Sequence, residues 1–290
     1  MRIAVASGKG GTGKTTVATS LALSLARTSD GRTPPLLLDC DVENPNAHIY
    51  LNPSIVRQSK VTISIPAVDP ARCSRCGRCV EVCQYHALAL VGKELMVFPQ
   101  LCHGCGSCVR QCPDGALSEI AHPIGMLEAG PARGGVRFAR GVLQIGEPMA
   151  APVIRALKGW STPEAGQVVI LDAPPGSSCP VVEVVRGADF LLLVTEPTPF
   201  GLHDLRLAVE LGRQLGMPSG VVLNRDGIGD DGVEGFCQDQ ALPILMRIPF
   251  ERAIAQGTAR GRTLIDIHSE YTSRFRDMVE QMRDVTGVTV

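Results

Sequence analysis

Short uninterrupted apolar runs recur along the chain, separated by stretches whose apolar residues fall four apart. Arg2–Ser7 reads as a strand, Gly8–Gly13 as a glycine-rich turn, and the residues from Thr15 onward as a helix with Val17, Leu21 and Leu25 on one face. Leu36–Asp39 reads as a second strand after the Pro34-Pro35 stop. Val168–Leu171, Phe190–Val194, Gly220–Leu223 and Ile244–Ile248 repeat the strand pattern, and Leu202–Leu215 and Tyr271–Met282 carry helical spacing. Apolar runs without alternation suit strands buried on both faces. The order strand, loop, helix, strand therefore predicts an α/β fold, a mainly parallel sheet with helices on both faces.

The middle of the chain breaks this pattern. Cys73-Ser-Arg-Cys76-Gly-Arg-Cys79-Val-Glu-Val-Cys83 is echoed by Cys102-His-Gly-Cys105-Gly-Ser-Cys108-Val-Arg-Gln-Cys112, and Ala87-Leu88 and Ala116-Leu117 follow at matching offsets. A tandem repeat of this kind predicts pseudo-symmetric halves. Residues 61–122 are expected to form a small inserted α+β domain within a discontinuous main domain of residues 1–60 and 123–290. Gly125–Gly141, rich in Gly, Ala and Arg, reads as a return linker. Ile267, Tyr271, Phe275, Met278 and Met282 share one face of the last helix and read as core. The chain end Asp284–Val290 has none of the lysines a basic membrane-seeking helix uses.

Composition narrows the setting. The chain has 290 residues, a formal net charge of -1, 44% hydrophobic residues and only 4% aromatics, so aliphatic side chains must fill the core. A near-neutral balance argues against a dedicated binder of nucleic acid or of acidic membranes. No apolar stretch is long enough to span a bilayer, and the N-terminus runs directly into a strand and a glycine-rich loop rather than a signal peptide. The expected location is the cytoplasm. There, 11 cysteines point to metal ligation rather than to disulfides.

Gly8-Lys9-Gly10-Gly11-Thr12-Gly13-Lys14-Thr15 fits the phosphate-loop pattern between a strand and a helix. Glycines let backbone N–H groups curl around phosphates, and the helix that follows presents its positive end. Lys14 is the candidate for the β- and γ-phosphates, and the Thr15 hydroxyl for Mg²⁺.

Lys9 is the informative addition. With Thr16, the run Lys9-Gly10-Gly11-Thr12-Gly13-Lys14-Thr15-Thr16 resembles the deviant-Walker loop of the MinD/ParA superfamily, relatives of the nitrogenase iron protein. The resemblance covers Met1–Leu51 and about Gly141–Met282, and is specifically to members carrying an inserted ferredoxin domain. It implies a Mg-ATPase working as an ATP-dependent homodimer, in which Lys9 reaches the partner's nucleotide as an arginine finger would. It also implies that Asp41, in Leu38-Asp39-Cys40-Asp41, sits near the attacking water with Asp39 behind it. Asp172, ending Val169-Ile170-Leu171-Asp172, would hold Mg²⁺ through water. Asn224 and Arg225 would lie at the adenine edge, with Ile248-Pro249-Phe250 over the base.

Each cysteine run has the C-x₂-C-x₂-C-x₃-C spacing of bacterial ferredoxins, whose fourth cysteine serves the other cluster. One 4Fe–4S cluster would take Cys73, Cys76, Cys79 and Cys112, and the other Cys102, Cys105, Cys108 and Cys83. The second run ends Cys112-Pro113, whereas the first has Gln84 where the pattern expects proline. Structural zinc is the alternative for four thiolates, although its modules more often pair distant C-x₂-C halves. Cys40 and Cys237 read as packing, and Cys179, beyond the Asp172 strand, as a candidate ligand of a bridging cluster. Three functions follow: an ATPase coupled to cluster state, with electron delivery to a redox partner as one version; a carrier passing clusters to client proteins; and a spatial organiser whose clusters are structural or redox-sensing.

Overall fold

The computed structural model describes residues 1–27 and 33–287; the last three residues of the chain end discussed above lie outside the described residues. The elements are β1 (Arg2–Ala6), α1 (Lys14–Arg27), β2 (Leu36–Asp39), α2 (Ala47–Leu51), β3 (Arg57–Val68), α3 (Arg78–Glu81), β4 (Leu88–Val91), β5 (Glu94–Val97), α4 (Ser107–Arg110), β6 (Leu117–Pro131), β7 (Arg137–Leu143), α5 (Ala150–Trp160), β8 (Val169–Asp172), α6 (Cys179–Val185), β9 (Phe190–Thr195), α7 (Pro199–Gln214), β10 (Ser219–Asp226), α8 (Gly232–Asp239), β11 (Ile244–Pro249), α9 (Arg252–Thr258), α10 (Leu264–Ile267) and α11 (Tyr271–Thr286).

Among the described residues the main sheet is 9-stranded, in the order β11-β10-β9-β1-β8-β2-β7-β6-β3. From β11 to β7 every neighbouring pair is parallel, and β6 and β3 add an antiparallel edge. Successive side chains of a strand point to opposite faces. Ala4 and Ala6 therefore join Leu38, Leu171 and Leu193 in the core beneath α5, α6, α7 and α8. Ile3 and Val5 join Leu37, Ile170 and Leu192 on the opposite face, against Val17 and Leu21 of α1 and Phe275 and Met278 of α11. Two covered faces explain why these strands read as unbroken apolar runs. The amphipathic last helix is core, with Tyr271, Phe275, Met278, Val279 and Met282 all buried, but Ile267, read as part of its face, ends the separate helix α10 and is only partly buried.

The segment read as a return linker is strand instead. Residues 125–131 are the second half of β6, and residues 137–143 are β7, the parallel neighbour of β2. The glycines that suggested flexibility serve close packing. A Cβ on Gly125 would stand 2.7 Å from the Val142 carbonyl oxygen, and one on Gly130 would collide with that of Ser54. Pro123, which has no N–H for the ladder, sits where the β3–β6 register shifts.

β3 and β6 pair from Arg57–Ala129 to Val68–Leu117, so one continuous ribbon runs from the sheet edge to the cysteine-rich segment. Positions 61 and 122 lie within these two strands. Beyond the ribbon, α3 and α4 begin after the left-handed residues Gly77 and Gly106, and β4 pairs with β5 as a separate hairpin.

Candidate nucleotide-binding site and cysteine-lined cavities

The carboxyl ends of β1, β2, β8, β9 and β10 lie side by side, the place where open parallel sheets bind ligands. The loop from Gly8 to Gly13 leaves β1 there and enters α1, with Gly11 and Gly13 at φ 81° and 96°. Gly13 is fixed by its neighbour as well as by its backbone: a Cβ would lie 2.5 Å from Asn224 Nδ2. Lys14, the first residue of α1, is buried, and its Nζ donates to the Lys9 carbonyl oxygen at 3.4 Å. Burial pulls its pKa down, while the carboxylates of Asp172 and Asp41 pull it up.

Two aspartates, Asp172 and Asp41, act on this ammonium, and Asp39 stands behind them. Asp39, fully buried, accepts from the backbone N–H of Ala47 at 2.9 Å and of Asp41 at 3.3 Å, which ties the end of β2 to the start of α2. Burial and the Asp172 charge hold its pKa well above the usual carboxylate range. Asp41 is half-buried; burial raises its pKa and Lys14 opposes the shift. Asp172 is fully buried at the end of β8; the Thr15 hydroxyl is near enough to act on its carboxylate, but neither oxygen has a well-formed hydrogen bond among the described residues. Burial raises its pKa against the pull of the Thr15 hydroxyl and Lys14. The Thr12 hydroxyl is likewise buried and unpartnered. Unsatisfied buried oxygens are costly, and here they cluster at a phosphate loop, a setting that suits Mg²⁺ and nucleotide.

Asn224 and Arg225, at the end of β10, meet the loop. Asn224 Nδ2 donates to the Thr12 carbonyl oxygen at 2.7 Å, and its Oδ1 accepts from the Arg225 backbone N–H at 2.9 Å. They line a cavity of about 600 Å³ with Gly13, Thr16, Pro249 and Phe250, so the loop assigned to the base borders this space. The sequence reading omitted Glu196. It follows β9, is almost wholly buried, and faces Lys9 at 3.5 Å and Arg225 at 2.8 Å. A carboxylate directly after an apolar strand was the available signal.

The cysteine runs form two cavities. One is lined by Cys83, Cys102, Cys105 and Cys108; the other by Cys73, Cys76, Cys79 and Cys112. The fourth cysteine of each run thus sits with the first three of the other. The two halves match atom for atom at one contact: Ala87 N–H donates to Cys83 Sγ and Ala116 N–H to Cys112 Sγ, both at 3.3 Å. None of the 11 cysteines is in a disulfide. Burial pushes the Cys79, Cys102 and Cys108 thiols up, Cys108 to about 11, while the Ser107 hydroxyl pulls Cys105 down. Among the described residues no three His, Cys, Asp or Glu side chains converge closely enough to hold a single metal ion. The first cavity packs on the middle of the ribbon through Ile63 and Ile65, and the second lies at its far end beside Leu117. Cys179 is exposed at the start of α6, whereas Cys40 and Cys237 are core. No helix among the described residues is long and apolar enough to cross a membrane.

A parallel sheet with a glycine-rich loop after its first strand, an adjoining lysine and an unpartnered aspartate defines a P-loop nucleotide-binding protein. The chain belongs to the family described as the CobQ/CobB/MinD/ParA nucleotide binding domain, whose model matches residues 3–265. It is similar to an uncharacterized protein of Methanocaldococcus jannaschii, 28% identical over 98% of this chain and 97% of that one. It is also similar to an iron-sulfur cluster carrier protein of Synechocystis, 23% identical over 93% of this chain and 66% of that one. Among solved structures, its fold matches the septum site-determining protein MinD of Pyrococcus horikoshii, determined with Mg-ADP, at a TM-score of 0.57 and 19% identity, covering 99% of this chain and 97% of that one.

Proposed function

We propose that the protein is a Mg-ATPase whose nucleotide-dependent dimerisation is coupled to two 4Fe–4S clusters held by an inserted ferredoxin-like domain. The observation that carries this reading is the sorting of eight cysteines into two four-cysteine cavities across the repeat. A cubane needs sulfurs spread around a volume, whereas zinc needs them gathered about a point; the three-residue steps of each cysteine run, repeated twice, support the cubane.

In the nucleotide site, the loop N–H groups and Lys14 bind the phosphates. Thr15 and Asp172 hold Mg²⁺, which supplies charge neutralisation at the phosphates, and Asp41 orients the attacking water. Lys9 meets the nucleotide of a second copy. Asn224 and Arg225 border the base. In the insert, Cys73, Cys76, Cys79 and Cys112 hold one cluster and Cys102, Cys105, Cys108 and Cys83 the other. The Ala87 and Ala116 N–H groups donate to sulfur, one of the interactions that set cluster potential. The protein acts in the cytoplasm and serves a redox partner.

Transfer of clusters to client proteins is the second reading, favoured by the similarity to the Synechocystis carrier protein. Complete four-cysteine sets within one chain support resident clusters over cargo, although Cys76 and Cys105 are exposed. The organiser reading rests on the fold of the MinD neighbour alone.

Anaerobically reconstituted protein is expected to hold about eight irons and eight sulfides per chain and to hydrolyse Mg-ATP slowly. Lys14→Ala abolishes nucleotide binding, while Lys9→Ala keeps binding and loses ATP-dependent dimerisation. Stoichiometric zinc without sulfide defeats the cluster reading. A Lys9→Ala protein that dimerises and turns over like the parent defeats the assignment of Lys9.

A further inference from the structure

Lys9 is already engaged within its own chain. Its Nζ lies 3.5 Å from Glu196 Oε2, while Arg225 contacts Glu196 Oε1 at 2.8 Å and reaches the Gly11 carbonyl oxygen at 3.4 Å. The Glu196 side chain is only 6% exposed, against 35% for Lys9 and 46% for Arg225. A buried carboxylate thus stands between two cations, Lys9 of the phosphate loop and Arg225 at the end of β10.

The carboxylate cannot follow either cation outward. Its own carbonyl oxygen accepts from the Thr198 N–H at 2.8 Å, and a Cβ on Gly201 would collide with that same oxygen. A Cβ on Gly229 would collide with the neighbouring Pro197 carbonyl oxygen. Backbone packed this closely has no room to shift, so the long and partly exposed Lys9 side chain is the mobile member of the pair.

We propose that Glu196 is a positioning residue that holds Lys9 in its own chain, so that the nucleotide-bound dimer forms only when Lys9 leaves it. The proposal rests on the reading of Lys9 as the residue that crosses to the partner's nucleotide. One ammonium cannot be at Glu196 and at a second copy's phosphates together, so the pair lowers the apparent dimer affinity by the fraction of molecules in which Lys9 is free. Arg225 makes the release reversible. When Lys9 departs, Glu196 keeps a cation at 2.8 Å and is not left as an uncompensated buried charge, the costly outcome for a broken ion pair. Arg225 also lines the cavity beside the base, so one carboxylate links the base side of the site to the residue that commits the dimer.

Two measurements on Glu196→Gln test this. The first is the rate at which an amine-reactive reagent labels Lys9 in the nucleotide-free monomer, read by mass spectrometry. Loss of the carboxylate is expected to raise it about threefold. The second is the dimer Kd with a non-hydrolysable ATP analogue and Mg²⁺, by sedimentation velocity, expected to tighten about 5-fold. A residue with only a structural role would weaken the dimer or leave it unchanged. Should Glu196→Gln fail to fold, Glu196→Asp keeps a charge opposite Arg225 but shortens the reach to Lys9, and shifts both readouts in the same direction. Unchanged Lys9 labelling in the folded variant overturns the pair. Faster labelling with an unchanged or weaker dimer overturns its role as a brake. A parent protein that never dimerises with the analogue overturns the nucleotide-sandwich reading, and the brake with it.

Discussion

The side-chain amide of Asn224 donates to the carbonyl oxygen of Thr12 at 2.7 Å, tying the end of β10 to the phosphate loop. Gly13 lies beneath this contact, with φ at 96° and no space for a side chain. Gly13→Ala is therefore expected to strain the loop backbone and break the amide contact together, at about 1–3 kcal/mol. Mg-ADP affinity by calorimetry should fall at least about tenfold, with Asn224→Ala falling less because it removes the hydrogen bond alone. Equal affinity for Gly13→Ala and the parent would show that the loop adopts another conformation.

Asp172 supplies a prediction in pH. Its folded pKa is raised, to about 7, against an ordinary value of 3.8. Between these values the folded state keeps a proton that the unfolded state has lost, so stability falls as pH rises through that window and levels off above the folded pKa. Chelator-treated, nucleotide-free protein should therefore lose about 2 kcal/mol between about pH 5.5 and 7. That is a drop of several degrees in Tm for a chain of this size. Asp172→Asn should reduce the slope, leaving the part that comes from Asp39, whose pKa burial also raises, and Mg-ATP, which favours the ionised carboxylate, should reduce it too. A parent and an Asp172→Asn protein with the same slope would place the titration elsewhere.

The crossed cysteine sets predict a specific defect. Cys83 follows the first three cysteines of its own run but lines the cavity of the second run. Cys83→Ala should perturb the cluster of Cys102, Cys105 and Cys108 and leave the other intact, and Cys112→Ala should do the reverse. Iron content should fall toward about four per chain, half the two-cubane value. Comparison with Cys105→Ala and Cys76→Ala by electron paramagnetic resonance identifies which signal is lost. Loss of the same signal from Cys83→Ala and Cys76→Ala would show that the sets do not cross.

Nucleotide and cluster state should be linked through the ribbon. β6 is hydrogen-bonded to β7, which pairs with β2, the strand ending at Asp39. Glu128 on β6 also binds Arg140 on β7 at 2.7 Å, and His122 on β6 meets Glu147 at 2.9 Å. A coupling free energy of about 1–3 kcal/mol is typical between linked sites. For a one-electron couple this is about 40–130 mV, from ~59 mV per tenfold. Redox titrations with ADP and with a non-hydrolysable ATP analogue should differ by tens of millivolts, with reciprocal changes in nucleotide affinity. Identical potentials and affinities would leave the clusters as structural staples and move the carrier reading ahead.

What the sequence determined by itself was everything carried by short-range spacing. The phosphate loop, the buried strands from Arg2 to Ile248, the α11 face and the doubled cysteine run were legible because each depends on residues within about a dozen positions of one another. Tertiary structure decided the rest. Residues 125–141 looked like a linker because Gly125, Gly130 and Gly141 hide a strand signal, and only the neighbouring Val42, Ser54 and Val142 explain why no side chain fits there. Glu196 was invisible as a site residue because its meaning lies in Lys9 and Arg225, at the ends of other strands. Asp39 and Asp41 share one short motif, yet Asp39 is tied by two backbone N–H groups and Asp41 faces Lys14. Spacing along a chain encodes local geometry, whereas burial, charge pairing and the room for a Cβ are set by whatever the fold brings alongside.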